Sequence, residues 1–134
     1  FHGRDIFAPL AAALYSGRLR PGDIGPREQQ PVPAAVPPPS SRDGLLHGAV
    51  VAIDRWGNLI SNIDAGLLAG MRNPIVRIGG EELALAGTYG EAARGALLAL
   101  VNSLGTVEVA CREASAAERL GLRHGAAVTV LPQG

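Results

Sequence analysis

The sequence predicts a mainly β fold, a small β-barrel or β-sandwich of about seven strands with one short helix. Seven short apolar or alternating runs lie in residues 45–134, and Gly, Asn, Asp and Pro residues separate them. One further stretch between two of these runs carries helix-capping residues instead. The length of 134 residues and the hydrophobic content of 47% fit one domain with a short appendage.

Residues 1–25 predict a single helix. Apolar residues recur at helical spacing between Ile6 and Leu14, Asp5 is the expected N-cap, and Gly17 and Pro21 are expected to close the helix. A helix of this length with one apolar stripe is marginal in water by itself. We therefore expect it to pack against another domain or another chain.

Residues 26–44 predict a proline-rich linker. Six of the ten prolines of the chain lie between Pro26 and Pro39. Because proline fixes φ and lacks a backbone donor, this composition favours an extended, partly polyproline conformation. A docking motif for a proline-binding module is the alternative, and a plain linker is the preferred interpretation.

The compact part, residues 45–134, is predicted to contain all the strands. They are expected at 47–54, 58–63, 74–80, 81–87, 96–103, 106–112 and 126–133. A short helix interrupts them, with Ser115 as its N-cap, Glu118 at the capping-box position and Gly121 at its end.

Charge and composition exclude several functions. Lys plus Arg and Asp plus Glu both number 12, and a formal net charge of zero argues against binding to nucleic acid or a membrane surface. No apolar run approaches the ~20 residues of a membrane-spanning helix. Cys111 is the single cysteine, and the three histidines lack metal-ligand spacing, so we predict neither a disulfide nor a metal site.

The segment DRWGNLISNI, residues 54–63, is the first candidate site. Asp54, Trp56 and Asn58 surround a turn between two predicted strands, and Asp and Asn are ordinary turn residues. The same three side chains offer a carboxylate for an ammonium group, a stacking face and an amide that can pair with an adenine edge. The residues alone therefore allow either a plain hairpin turn or a site for a cationic purine ligand.

Four other residues are weaker candidates. Tyr89 is flanked by Gly87 and Gly90, which places it on a loop where it could cover a ring. Ser103 lies with Asn102 at the end of a predicted strand, before Gly105, where the ordinary role of both residues is turn formation. Alternation with neighbouring valines predicts that Glu108 faces solvent, and Cys111 is expected to be a small buried hydrophobe.

Three segments in this order resemble the S-adenosylmethionine (SAM) hydroxide adenosyltransferases, also called adenosine-forming SAM hydrolases, which are related to the fluorinating and chlorinating enzymes. The segments are FHGRDIFAPLAA, DRWGNLISNI and NSLGTVEVACREASAAERLG. The resemblance implies a C-terminal β-barrel, residues 45–134, a linker, residues 26–44, and a helix left from a larger N-terminal α/β domain, residues 1–25. It also implies a prokaryotic, cytoplasmic homotrimer whose ligand lies between one subunit's N-terminal domain and its neighbour's barrel.

The reaction implied by the resemblance is displacement of methionine from the ribose C5′ of SAM by water or hydroxide, without a cofactor. His2 would be the catalytic residue contributed by this chain. Asp54 would bind the methionine ammonium and Ser103 its carboxylate, where relatives carry a polar or basic residue in place of Leu104. Asn58 would contact the adenine edge, Tyr89 would cover the adenine and Trp56 would flank the ligand. Glu108 and Cys111 would lie in the strand that lines the adenine pocket.

Two alternatives remain open at this stage. The protein could be a halide-using relative, although the FHGRD segment keeps the histidine associated with the hydrolases. The barrel could also be a non-catalytic module for nucleoside binding or oligomerisation. In the leading hypothesis this chain alone is inactive, because it carries only part of the site.

Overall fold

The structure is a computed structural model that describes residues 1–30, 32 and 36–133. It contains two compact units, Phe1–Pro33 and Ala34–Gly134. Within the described residues, no helix has both the length and the apolar character needed to cross a membrane.

The second unit is a closed β-barrel of seven strands with one extra strand. The strands of the barrel are β2 Leu45–Ile53, β3 Leu59–Asp64, β4 Ile75–Ile78, β5 Glu81–Ala86, β6 Leu97–Val101, β7 Thr106–Cys111 and β8 Ala127–Leu131. Around the barrel they follow the order β2-β3-β7-β6-β5-β4-β8, and β8 pairs with β2 to close it. All neighbours are antiparallel except β5 and β6, which are parallel. The seven predicted strands are thus confirmed, and they form a barrel rather than a sandwich.

The extra strand, β1 (Ser40–Arg42), lies inside the segment predicted as linker. It forms a hairpin with the start of β2, and Ser40 pairs with His47. The connecting residues Asp43 and Gly44 both have positive φ, 52° and 76°. An Asp-Gly pair is a strong hairpin signal, so the sequence contained this strand's signature. Four residues of the predicted linker, Pro31, Pro33, Ala34 and Ala35, lie outside the described residues.

The barrel interior is filled by branched aliphatic side chains that alternate along the strands. Val50, Leu59, Ile63 and Val109 are all at most 1% exposed. A smaller cluster of Leu98, Leu100 and Ala110 lies against Ala86 and Ala92. Because β6 and β7 pack on both faces, every residue from Val107 to Cys111 is buried.

The short helix of the barrel unit, α3 (Ala116–Leu120), begins and ends at the predicted residues. The hydroxyl of Ser115 accepts a hydrogen bond from the amide of Glu118 at 3.1 Å. Gly121 adopts the left-handed conformation with φ of 65°, which a glycine adopts with little strain. Ala116 is fully buried, so the first turn of α3 is anchored in the core.

The first unit is helical, with a π-helical turn at Gly3–Phe7 that continues into α1 (Ala8–Tyr15), followed by α2 (Pro21–Ile24). The prediction that Asp5 is an N-cap is wrong. The amide of Asp5 already donates to the carbonyl of Phe1, and its carboxylate pairs with Arg4 at 2.6 Å. Gly17 follows α1 with positive φ, as expected for a helix end. The described residues of this unit include no buried side chain.

Candidate functional site

The turn between β2 and β3 is built around the carboxylate of Asp54. Its Oδ1 accepts hydrogen bonds from the amides of Trp56, at 2.8 Å, and Asn58, at 3.0 Å. Its Oδ2 accepts from Nδ2 of Asn58 at 2.9 Å. Asp54 and Asn58 therefore act as turn residues, and the same bonds fix the orientation of the Asn58 amide, which is 9% exposed. Trp56 projects outward with the guanidinium of Arg55 4.0 Å above its ring.

Gly57 allows this turn to lie directly against α3. It has a φ of 82°, and a Cβ at this position would stand 2.6 Å from the Cβ of Ser115. Its carbonyl also accepts a hydrogen bond from the amide of Ala117 at 2.9 Å. The turn is consequently held at the N-terminal end of α3.

A second group of bonded side chains is centred on Glu108 in β7. This residue is 4% exposed, so the prediction that it faces solvent is wrong. Alternation fails there because both faces of β7 are covered by protein. Its Oε1 accepts a hydrogen bond from the hydroxyl of Tyr89 at 2.5 Å, and its Oε2 accepts from Nδ2 of Asn102 at 3.1 Å.

Asn102 in turn holds the connection between β6 and β7. Its Oδ1 accepts hydrogen bonds from the amides of Leu104, at 3.0 Å, and Thr106, at 3.1 Å. The turn that carries Ser103 is thereby tied to Glu108 through one side chain. The sequence predicts turn formation before Gly105, and the structure contains an Asx turn there beside a buried carboxylate.

The environment of Tyr89 favours its neutral form. Burial is the largest influence, followed by the hydrogen bond to Glu108 and the charges of Glu108 and Asp54, and together they raise the pKa of Tyr89 to about 12. The residue as a whole is nevertheless 45% exposed. Tyr89 therefore has its hydroxyl anchored on the barrel and a large part of its surface accessible.

These residues line a cleft with two adjoining lobes, and Trp56 and Tyr89 belong to both. The first lobe, about 660 Å³, is also lined by Asn58, Cys111 and residues 112–115. The second lobe, about 460 Å³, is also lined by Asp54, Asn102, Ser103, Leu104 and Glu108, among others. Two aromatic side chains at the junction suit a ligand with a flat ring at one end and a polar group at the other.

The two lobes differ in charge. The second contains the carboxylates of Asp54 and Glu108, and none of the described residues around it is Lys, Arg or His. The first contains Arg112 and Glu113. In the part of the chain that the structure describes, no group of three or more His, Cys, Asp or Glu side chains could hold a metal ion.

The structure brings seven of the eight predicted site residues together in this cleft, namely Asp54, Trp56, Asn58, Tyr89, Ser103, Glu108 and Cys111. Cys111 is 5% exposed, as expected, and its thiol donates to the carbonyl of Gly95 at 3.3 Å. His2 is exposed and lies in the other unit, Phe1–Pro33. Sequence reasoning missed Arg112 and Ser115 as lining residues, and neither carries a sequence signal beyond its proximity to β7.

Comparison with known proteins gives consistent matches. The family model described as the SAM hydroxide adenosyltransferase C-terminal domain matches residues 48–129. A curated relative from Thermus thermophilus, named (R)-S-adenosyl-L-methionine hydrolase, is 38% identical over 131 residues, which are 98% of this chain and 49% of the relative. A protein of the same name from Salinispora tropica is 36% identical over 93% of this chain and 48% of its own length.

Solved structures agree with these matches. An uncharacterized conserved protein from Thermotoga maritima superposes with a TM-score of 0.66 at 30% identity, over 98% of this chain and 52% of that protein. A conserved hypothetical protein from Thermus thermophilus gives a TM-score of 0.63 at 36% identity, over 98% and 53%. The chain thus spans about half the length of the relatives it matches. With a family match over most of its barrel, the chain belongs to the SAM hydroxide adenosyltransferase C-terminal domain family.

Proposed function

We propose that this chain provides the substrate-binding barrel of an adenosine-forming SAM hydrolase. The observation that carries the proposal is the two-lobed cleft, in which Trp56 and Tyr89 stand between a lobe with an oriented amide and a lobe with two carboxylates. The names of the curated relatives support the same activity. In the reaction a water oxygen forms a bond to the ribose C5′ as the bond from C5′ to the sulfonium sulfur breaks. The water loses a proton, and the products are adenosine and L-methionine.

The first lobe is proposed to hold the adenosine end. Asn58 is almost buried, and its amide is oriented by Asp54, so its remaining hydrogen-bonding capacity is directed rather than free to rotate. Trp56 is 61% exposed and Tyr89 45% exposed, and we propose that a base stacks on these rings. Cys111 closes the lobe as a small buried side chain.

The second lobe is proposed to hold the methionine end. Oδ2 of Asp54 accepts one hydrogen bond in the structure, and a carboxylate oxygen can accept about two. It therefore keeps capacity for an ammonium group. Ser103 lines this lobe from the adjoining turn, and we propose that it contacts the ligand carboxylate. The side chain of Leu104, 76% exposed, offers no donor there.

For this reaction the protein has to position the water molecule and remove a proton from it. A sulfonium is a good leaving group, so the main contributions are orientation of water, its desolvation and its deprotonation. We propose His2 as the group from this chain that acts on the water. Because the chain spans about half of its relatives, we propose that it is inactive alone.

The assembly proposed is a cytoplasmic homotrimer of a prokaryotic protein. The barrel, residues 45–134, the linker, residues 26–44, and the helical segment, residues 1–25, would be its parts in this chain. No cofactor is included, because the substrate itself carries the leaving group.

The proposal is tested first by binding. Trp56 is the only tryptophan and lines both lobes, so its fluorescence should report a stacked base. We expect adenosine and SAM to change this signal and to bind weakly, with a Kd at or below ~1 mM. Tyr89→Phe is expected to weaken binding, and Tyr15→Phe, at a residue 98% exposed in the other unit, is the matched control. Absence of any response in the unmodified chain would contradict the proposal.

The activity is tested by replacing the corresponding half of the Thermus thermophilus hydrolase with this chain. We expect the chimera to convert SAM to adenosine and methionine, and His2→Ala to abolish turnover while adenosine still binds. A folded chimera that binds SAM without turnover would mean that this chain is a nucleoside-binding module and not part of the enzyme. Formation of 5′-chloro-5′-deoxyadenosine in chloride buffer would support the halide-using alternative instead.

A further inference from the structure

We infer that Glu108 is a positioning residue whose hydrogen bonds hold side chains of both lobes of the cleft in place. It does not act on the ligand through its charge. The inference rests on the proposed function, namely that the cleft binds a nucleoside joined to an amino acid. It revises the expectation that Glu108 is simply one of the residues in contact with the adenine.

The position of Glu108 supports a connecting role. On β7 it pairs with Ile60 of β3 on one side and Leu100 of β6 on the other. Its two carboxylate oxygens accept from Tyr89 and Asn102, which lie on different loops. A side chain that is 4% exposed and bonded in two directions has little surface left for a ligand.

The hydrogen bond to Asn102 links Glu108 to the second lobe. Three donors converge on Oδ1 of Asn102, from the amides of Leu104 and Thr106 and the hydroxyl of Thr106. The opposite end of the amide, Nδ2, must then face Glu108, because the donors fix the orientation of the amide. Loss of the acceptor at residue 108 would therefore release the turn that carries Ser103.

The hydrogen bond to Tyr89 links Glu108 to the junction of the two lobes. Tyr89 begins a short helical turn, Tyr89–Glu91, and is 45% exposed, and the bond to Glu108 ties its hydroxyl to the barrel. A partly buried hydroxyl whose acceptor is removed must find another partner or turn towards water. Without Glu108 the ring would leave the position from which it can cover a base.

Two substitutions separate a positioning role from a charge effect. Glu108→Gln keeps the size of the side chain and one acceptor oxygen but removes the charge, and the tyrosine hydroxyl can accept from the new amide. Glu108→Ala removes every bond. Glu82→Gln, at an exposed residue paired with Arg77, is the matched control.

The experiment is a titration of the 134-residue chain and these three variants with adenosine, which is neutral, and with SAM, which is cationic, followed by Trp56 fluorescence. We expect Glu108→Ala to weaken both ligands by about tenfold or more, and Glu108→Gln by about threefold or less. In the Glu108→Ala background, Tyr89→Phe should add little, because its hydroxyl has already lost its partner.

Each outcome supports or overturns the inference. If Glu108→Gln weakens SAM as strongly as Glu108→Ala and leaves adenosine unchanged, Glu108 acts by charge and the inference is wrong. If the unmodified chain binds neither ligand, the proposed function itself fails. If Glu108→Ala does not fold, the double variant Glu108→Gln with Tyr89→Phe provides the test. If the losses of binding free energy of the two single variants simply add in the double variant, the two residues are not coupled and the inference is wrong.

Discussion

Gly57 and Ser115 are in contact across the interface between the β2–β3 turn and the start of α3, where a Cβ on residue 57 would lie 2.6 Å from the Cβ of Ser115. The contact joins two segments that are far apart in the sequence. It also explains a glycine at the centre of the DRWGN segment, since residue 57 has a φ of 82° as well. The wall of the first lobe thus depends on a residue with no side chain.

Substitution of Gly57 should lower the free energy of unfolding by more than backbone strain alone would. Gly57→Ala places a methyl group against Ser115 at positive φ, and we expect a loss of about 3 kcal/mol or more in the free energy of unfolding. Gly80→Ala is the control, because Gly80 has a φ of 86° and nothing within 4 Å of the added Cβ. There we expect about 1–2 kcal/mol. Urea unfolding measures both, and equal losses would mean that the contact with Ser115 has no energetic effect.

The ionisation of Tyr89 gives a prediction about pH. The pKa of Tyr89 is raised to about 12 by burial, by the hydrogen bond to Glu108 and by the charges of Glu108 and Asp54. An unfolded tyrosine titrates near ~10. The folded state therefore favours the neutral hydroxyl, so this residue stabilises the fold below pH ~10, and the contribution is lost as the pH rises towards about 12.

The measurement uses Tyr15→Phe, which leaves Tyr89 as the only tyrosine of the chain. Absorbance of the phenolate should rise at a higher pH in the folded protein than in urea. Adding Glu108→Gln removes one of the causes and should lower the midpoint. Identical midpoints in folded and unfolded protein would show that Tyr89 is not held beside Glu108.

Asp54 should have separable effects on the turn and on the ligand. Asp54→Asn keeps the shape but removes the charge, and its amide end cannot accept from Asn58, so we expect about 1 kcal/mol of lost stability. The affinity for SAM should fall by about tenfold, while adenosine should be affected less because it has no ammonium group. The matched control is Asp64→Asn, where the carboxylate accepts from the amide of Gly66 but does not line the cleft.

Calorimetric titration of both variants with both ligands tests this prediction. Equal weakening of adenosine and SAM by Asp54→Asn would mean that the substitution acts only through the turn. In that case Asp54 would be a structural residue of the first lobe and not a contact of the amino-acid end.

The fold could be predicted from the sequence because its strands carry local signals. Alternating aliphatic runs bounded by glycine and proline identify seven strands, and the Ser115 cap with Gly121 identifies α3. The strand β1 was missed because the prolines before it dominated the interpretation of the segment. Its Asp43-Gly44 turn was a usable signal.

The site could be predicted only in part. Asp54, Trp56 and Asn58 lie within five residues, so local sequence places them together. Glu108 was predicted to face solvent, because period-two alternation assumes that one face of a strand is open. Its bonds to Tyr89, 19 residues away, and to Asn102 arise from barrel closure, which no local pattern contains.

Leu104 is 76% exposed and lines the lobe that contains Ser103. Leu104→Arg would add a bidentate donor beside two carboxylates, where an amino-acid ligand also brings its own carboxylate. We expect the affinity for SAM to increase by about threefold to tenfold and the affinity for adenosine to stay constant, since adenosine has no group for the new side chain to bind. The fold should be unaffected, because the substituted residue is exposed. Leu67→Arg, at an exposed residue outside the cleft, is the control. A gain for adenosine equal to that for SAM, or weaker binding of SAM, would mean that this turn does not face the amino-acid end of the ligand.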